Sequence, residues 1–190
     1  MKRLVDLALV LAAAPFALIL VGIAALIVRL DSRGNALFRQ RRVGLGEQHF
    51  TLVKLRTMTI EMDDRPSHEA SRTHITRSGR LFRRLKIDEL PQLWNVLTGT
   101  MSLVGPRPCL PSQSELIAAR RAEGAFAVRP GITGPAQIAG VDMSTPDTLA
   151  VIDGDYARGH SFWGDLRLIA RTIIGGGRYD SVRIAADTDD

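Results

Sequence analysis

LALVLAAAPFALILVGIAALIV, residues 7–28, runs for 22 residues without a charge or a side-chain amide. At about 1.5 Å per residue it makes a helix of about 33 Å, against roughly 30 Å of bilayer hydrocarbon. Its length therefore permits a membrane crossing, and two features oppose a simple straight one. Pro15 sits in the middle, where it removes one backbone hydrogen bond and clashes with the carbonyl four residues back. Both flanks are basic, with Lys2 and Arg3 before and Arg29, Arg33, Arg39, Arg41 and Arg42 after, and basic flanks prefer the cytoplasmic side. Three readings compete. A secretory signal peptide fits the MKR start, but the run exceeds the usual apolar stretch of about 7–15 residues and a basic cluster follows it. A single straight span with the N-terminus outside is the second. A re-entrant helix bent at Pro15, entering and leaving on one face, accounts for the proline and both flanks together. Asp6, at the interfacial end, is expected to pair with Lys2 or Arg3.

The rest of the 190-residue chain is more polar than its average of 45% hydrophobic residues, because this one segment holds much of the excess. That length suits a single domain with a real core, and a disordered chain is excluded. One cysteine, Cys109, excludes a disulfide scaffold and a Cys-based zinc site. The formal charge of +5 is unevenly spread: residues 29–86 carry +8 and residues 87–190 carry −4. A pI near 10.1 would suit nucleic acid. The acidic second half and an aromatic content of only 5% argue against that class.

Residues 29–46 are basic and glycine-punctuated, which predicts a surface-lying loop or short helix at anionic headgroups. HFTLVKLRTM, residues 49–58, partly alternates and predicts a strand ending near Thr57. The polar stretch 61–73, with Pro66, reads as a mobile loop. Residues 78–86 form a basic amphipathic helix with Leu81, Phe82 and Leu85 on one face, equally suited to solvent, phosphate or lipid. Asp88 then resembles the N-cap of another helix, with Pro91 in its first turn and Gly99 just past its end. A short strand is expected over 101–104, helices over 112–123 and 162–174, and a frayed tail beyond Asp180.

Asp88-Glu89, directly after Arg83, Arg84 and Lys86, is the strongest local signal for chemistry. A helix start with nearby cations attracts phosphate and keeps a carboxylate ionised. Such a carboxylate can be a covalent nucleophile toward phosphorus, a ligand for Mg²⁺, or only a cap for its helix. Gly105-Pro106-Arg107-Pro108 confines Arg107 between two prolines, and arginine's planar fork suits bidentate phosphate contacts, although a tight turn with a solvated arginine is the commoner arrangement. Lys54 and Arg56, on one face of the expected strand, share that ambiguity. Gly131 to Gly134 is too short to count as a phosphate loop. His49, His68, His74 and His160 lack metal-ligand spacing, and Walker A, GxGxxG and GxSxG motifs are absent.

In order, KRLVDLAL with Pro15, LFRQRRVG, FTLVKLRTM, ITRSGRLFRRLKIDELPQLWNVLTGTMSLVGPRP and RPGITGPAQIAG resemble the bacterial sugar transferase family. These are monotopic phosphoglycosyl transferases, here in the small form, and the likeness runs from about Lys2 to Gly140. The resemblance implies transfer of a phospho-sugar from a UDP-sugar to polyprenyl (undecaprenyl) phosphate with release of UMP. It implies Asp88 as nucleophile through a phosphosugar–aspartyl intermediate, Glu89 completing a catalytic dyad, and Mg²⁺ bound beside them at Asp88. Lys54, Arg56, Arg83 and Arg107 are the expected substrate and phosphate contacts. The implied fold is α/β and mostly helical, with short strands and interfacial amphipathic helices. Residues 1–30 would form a re-entrant membrane helix broken at Pro15. Residues 31–180 would form a catalytic domain on the cytoplasmic face of the bacterial inner membrane, and 181–190 a flexible tail. Departures from the family pattern are Ala14 where Ser often precedes the proline, Pro135 where Trp is usual, and Val141 where Arg is usual. A different class, a non-catalytic basic adaptor for anionic lipid or a partner protein, is the alternative reading.

Overall fold

A computed structural model of the chain describes residues 1–59 and 75–175. The loop expected over 61–73, His68, His74 and the tail over 181–190 lie outside the described residues. Helix α1 (Lys2–Asp31) leads into an antiparallel hairpin, β1 (Leu37–Val43) and β2 (His49–Leu55), followed by α2 (Arg77–Arg84) and α3 (Gln92–Leu97). Next come β3 (Ser102–Val104), α4 (Ser114–Ala122), β4 (Gly131–Thr133) and three helices. These are α5 (Pro135–Ala139), α6 (Pro146–Gly159) and α7 (Phe162–Ile173). β3 and β4 pair in parallel. The molecule is mostly helical with short strands.

α1 is long and apolar enough to cross a membrane. It continues through Pro15 rather than stopping there. One lost hydrogen bond does not end a helix whose neighbouring turns are rich in Ala and Leu. Its buried residues Asp6, Val10, Ala17, Ala24 and Val28 form one stripe at helical spacing, while Phe16, Leu18, Ile19, Ile23 and Leu26 are exposed. The stripe joins the rest of the fold at two places. Near one end Val10 packs with Leu52, Val96 and Met101; near the other, Ala24 and Val28 pack with Ala36, Leu55 and Phe82. A third cluster of Val43, Cys109, Leu116, Ala136 and Leu149 holds the far side together, away from α1.

Polar bonds fix both ends of α1 to the same body. Lys2 pairs with Asp165 on α7 and donates to the Tyr156 hydroxyl on α6 at 3.1 Å. Arg3 donates to the Leu97 carbonyl at 3.0 Å. Asp6 does not pair with Lys2 or Arg3 as expected; it accepts from Ser102 Oγ at 2.8 Å and from the Leu103 amide at 3.3 Å. Burial against β3 brings it those donors, which satisfy a carboxylate without a second charge. At the other end Asp31 accepts from Ser78 Oγ at 2.6 Å and from the Ser78 amide at 3.0 Å, at the start of α2.

The basic stretch expected as a loop or short helix contains β1 instead. Phe38, Gln40 and Arg42 are partly or fully buried and Leu37, Arg39 and Arg41 are exposed, an alternation that the run of arginines hid. The register sets Phe38 opposite Lys54 and Arg42 opposite Phe50.

Candidate active site

The turn after α2 is made by Lys86, a non-glycine residue in the left-handed region with φ 56° and ψ 21°. That conformation costs about 1–2 kcal/mol and redirects the chain into a 3₁₀ turn over Ile87–Glu89. Asp88 is therefore not the N-cap of the following helix, which starts at Gln92 with Pro91 before it and no side-chain cap. The bond geometry of a cap needs the residue directly before the first helical turn, and Asp88 stands one 3₁₀ turn too early. Its carboxylate is buried, with the residue 8% exposed. Glu89 beside it accepts from Arg107 Nη2 at 2.8 Å.

Arg107 comes from the turn that follows β3, and the backbone of that turn lies directly against β4. A Cβ on Gly105 would sit 2.3 Å from the Arg129 carbonyl, and one on Gly131 only 2.0 Å from the Gly105 nitrogen, so both positions require glycine. The Gly105 amide donates to Thr133 O and the Gly131 amide to Pro106 O, both at 2.9 Å. The RPGITG segment, unassigned from its sequence, is thus the backing of the Arg107 turn.

β2 supplies Lys54, whose Nζ lies 5.1 Å from the centre of the Phe38 ring on β1. Burial and the fields of Arg42, Arg83 and Arg107 push its ammonium down to about 8, against the opposing pull of Asp88. From α2, Arg83 donates through Nε to Thr57 Oγ1 at 2.8 Å. Arg42 donates to the Pro108 carbonyl at 3.0 Å and to Gln40 Oε1 at 2.6 Å. Burial and the neighbouring Arg107 lower it to about 10. Arg42 counted in the sequence only as a basic flank of the apolar segment. The register pairing of the hairpin is the signal that would have found it, since 38, 40 and 42 share a face with 54.

Asp88, Glu89, Lys54, Arg83 and Arg107 therefore come together, and Arg42 joins them. Arg56 does not: it is 5% exposed, and its guanidinium donates to Arg33 O at 2.7 Å and Ser32 O at 2.8 Å, where α1 ends. Pro15 lies within α1, remote in sequence from any of these elements. Among the described residues the site therefore gathers four cations and two carboxylates. Mg²⁺ is held typically by one or two carboxylates plus substrate phosphates. A single buried carboxylate with a second one engaged by arginine is compatible with that donor set. No cluster of three or more His, Cys, Asp or Glu side chains occurs among the described residues.

A cavity of about 830 Å³ opens between the mid-section of α1, the hairpin and α3. Val10, Ala17 and Val21 line it on the α1 side, Leu93 and Trp94 on the α3 side. Leu90 and Pro91, directly after the Asp88-Glu89 pair, form part of its wall.

Residues 1–176 match the family model described as Bacterial sugar transferase. The chain is 44% identical over 183 residues to the UDP-glucose:undecaprenyl-phosphate glucose-1-phosphate transferase of Caulobacter vibrioides, covering 90% of this chain and 68% of that protein. It is 43% identical to an undecaprenyl-phosphate glucose phosphotransferase of Komagataeibacter xylinus, over 90% of this chain and 35% of that one. An uncharacterized sugar transferase of Bacillus subtilis is 42% identical, with 91% and 85% covered. With a match of that extent, this chain belongs to the bacterial sugar transferase family.

Proposed function

We propose that the chain transfers a sugar 1-phosphate from a UDP-sugar to polyprenyl phosphate at a membrane surface. The observation that carries this reading is the buried Asp88 beside the Glu89–Arg107 pair and close to Lys54, which Arg42, Arg83 and Arg107 also approach. The names of the Caulobacter and Komagataeibacter relatives make UDP-glucose the first donor to test.

In the first half-reaction an Asp88 carboxylate oxygen attacks the β-phosphorus of the donor. The new P–O bond forms as the bond from that phosphorus to the bridging oxygen breaks, and UMP leaves with the bridging oxygen's electron pair. In the second, an oxygen of the lipid phosphate attacks the same phosphorus. The aspartyl P–O bond then breaks and Asp88 returns as a carboxylate. Arg107, oriented on Glu89, and Lys54 bind the phosphate oxygens, whose charge they balance as it shifts to the leaving group. Asp88, together with the diphosphate oxygens of the donor, would hold Mg²⁺. When bound, the ion supplies neutralisation of phosphate charge.

The bonds at both ends of α1 support a re-entrant path. Lys2, Arg3 and Asp6 at one end, and Asp31 at the other, attach to one body, which a straight crossing would have to separate by the bilayer thickness. The cavity beneath α1 is mostly apolar, has Leu90 and Pro91 next to the dyad in its wall, and suits the isoprenoid chain of the acceptor.

The test is release of UMP from a panel of UDP-sugars with undecaprenyl phosphate. Asp88→Asn is expected to lose at least about 10³-fold in turnover, and a phosphosugar adduct on Asp88 should be detectable by mass spectrometry. Substantial turnover by Asp88→Asn would sink the covalent route. Salt-sensitive membrane binding without turnover of any donor would favour the adaptor reading.

A further inference from the structure

Behind the Arg107 turn lies a second charged centre, Arg120 on α4 and Asp153 on α6, which are 2% and 0% exposed. Arg120 donates to Asp153 Oδ2 through Nε at 2.9 Å and through Nη2 at 2.6 Å. Its Nη1 turns the other way and donates to the backbone carbonyl of Arg107 at 2.8 Å. Stability does not account for such a pair, since apolar residues of similar volume usually serve as well or better in a core. The contact that apolar residues cannot replace is the one to Arg107.

That carbonyl is a sensitive point. Arg107 precedes Pro108, so the peptide linking them has no N–H, and its carbonyl is its one hydrogen-bonding group. Proline rings already restrict the chain at 106 and 108 and the residues preceding each. The carbonyls along the turn are each held from a different element: Pro106 O by the Gly131 amide, Arg107 O by Arg120, Pro108 O by Arg42. With the backbone fixed at 107, the side chain reaches Glu89 Oε1 at 2.8 Å.

We infer that Arg120, seated by Asp153, is a positioning residue that holds the Arg107 backbone so that its guanidinium meets Glu89 and the donor phosphates. This rests on the reading of Arg107 as a phosphate contact. A displacement of about 1 Å at such a group lowers rate by about 10²-fold. Arg120→Met combined with Asp153→Leu removes both charges together and leaves no unpaired ion behind.

In the membrane-embedded full chain, the double substitution is expected to melt within a few degrees of wild type and to lower kcat/KM for the UDP-sugar about 10–100-fold. In an Arg107→Ala background the same change should cost less than about twofold, because the group it acts through is gone. Wild-type kcat/KM in the folded double variant overturns the inference, as does an equal loss in the Arg107→Ala background. If the double variant does not fold, Arg120→Lys replaces it, with the same loss and the same dependence on Arg107 expected. Amide exchange at Gly105 and Gly131, whose N–H groups bond across this turn, gives an arm independent of turnover: it should speed up in Arg120→Lys, and unchanged exchange overturns the inference. Failure of wild type to use any UDP-sugar would instead strike the functional reading, with the exchange arm still deciding the clamp.

Discussion

Two charged centres, linked by the 2.8 Å hydrogen bond from Arg120 to the Arg107 carbonyl, differ in how their charges balance. Among the described residues, Asp88 and Glu89 share their site with four cations, Arg42, Lys54, Arg83 and Arg107; behind them Arg120 and Asp153 match one for one. The crowding shows in Lys54 and Arg42, both pushed below their ordinary range by burial and by their cationic neighbours. A protein gains nothing in stability from such an excess. In the proposed reaction those cations would meet the diphosphate of the donor. The matched pair is balanced within itself, and its burial serves geometry.

The sharpest way to break this contrast is to remove one charge from each centre. Asp153→Ala leaves Arg120 buried and uncompensated and is expected to cost about 3–5 kcal/mol in unfolding free energy, read by chemical denaturation. Arg107→Ala, partly exposed in the ring, should change stability by less than about 1 kcal/mol, while kcat/KM for the donor falls about 10²-fold. Equal stability losses at both positions would erase the distinction.

A pH titration sharpens it next. The Lys54 ammonium sits at about 8 instead of the ordinary 10.5, so folding releases its proton between those values. The unfolded chain binds more protons in that window, and stability therefore rises as pH climbs from about 8 to about 10.5. Donor affinity should move the other way, since a neutral amine holds phosphate poorly: KM rises as pH passes about 8. Lys54→Arg stays cationic and should flatten both trends. A KM that stays level through pH 8 in wild type would remove Lys54 from the phosphate site.

The smallest effect is expected at the cavity. Ala17→Trp narrows the space beneath α1 and should raise KM for polyprenyl phosphate several-fold, leaving KM for the UDP-sugar within about twofold. An unchanged acceptor KM would place the isoprenoid chain elsewhere.

Much of this was readable in the sequence, and the divisions follow physical range. α2, α4, α7, β2 and β3 appear close to where local periodicity and capping residues set them, because helices and short strands with clear ends are local objects. β1 was missed because its partner in pairing, not its own composition, makes LFRQRRV a strand. α5 and α6 also went unmarked: PDTLAVIDGDYARG carries two glycines and three aspartates that dilute the helical pattern. Asp88, Glu89 and Arg107 stood out as charged residues beside turn-forming neighbours and Lys54 as a basic residue on a strand face, while the site role of Arg83 came from the family resemblance. Arg56 looked equivalent to Lys54 two residues away, yet its guanidinium is taken up by the carbonyls of Ser32 and Arg33.

By itself the sequence determined that an uncharged run of 22 residues lies in the first helix, that a basic half precedes an acidic one, and that Asp88-Glu89 and Arg107 stand beside turn-forming residues. It could do so because apolar length, charge and turn chemistry act between neighbours along the chain. Only the tertiary structure decided that Asp6 belongs to β3, that both ends of α1 attach to one body, and that Arg42 joins the ring. It alone placed Arg120, bonded to Asp153 33 positions onward, against the carbonyl of Arg107 13 positions back. Those contacts arise from packing between distant segments, and their partners are chosen by the geometry that burial leaves available.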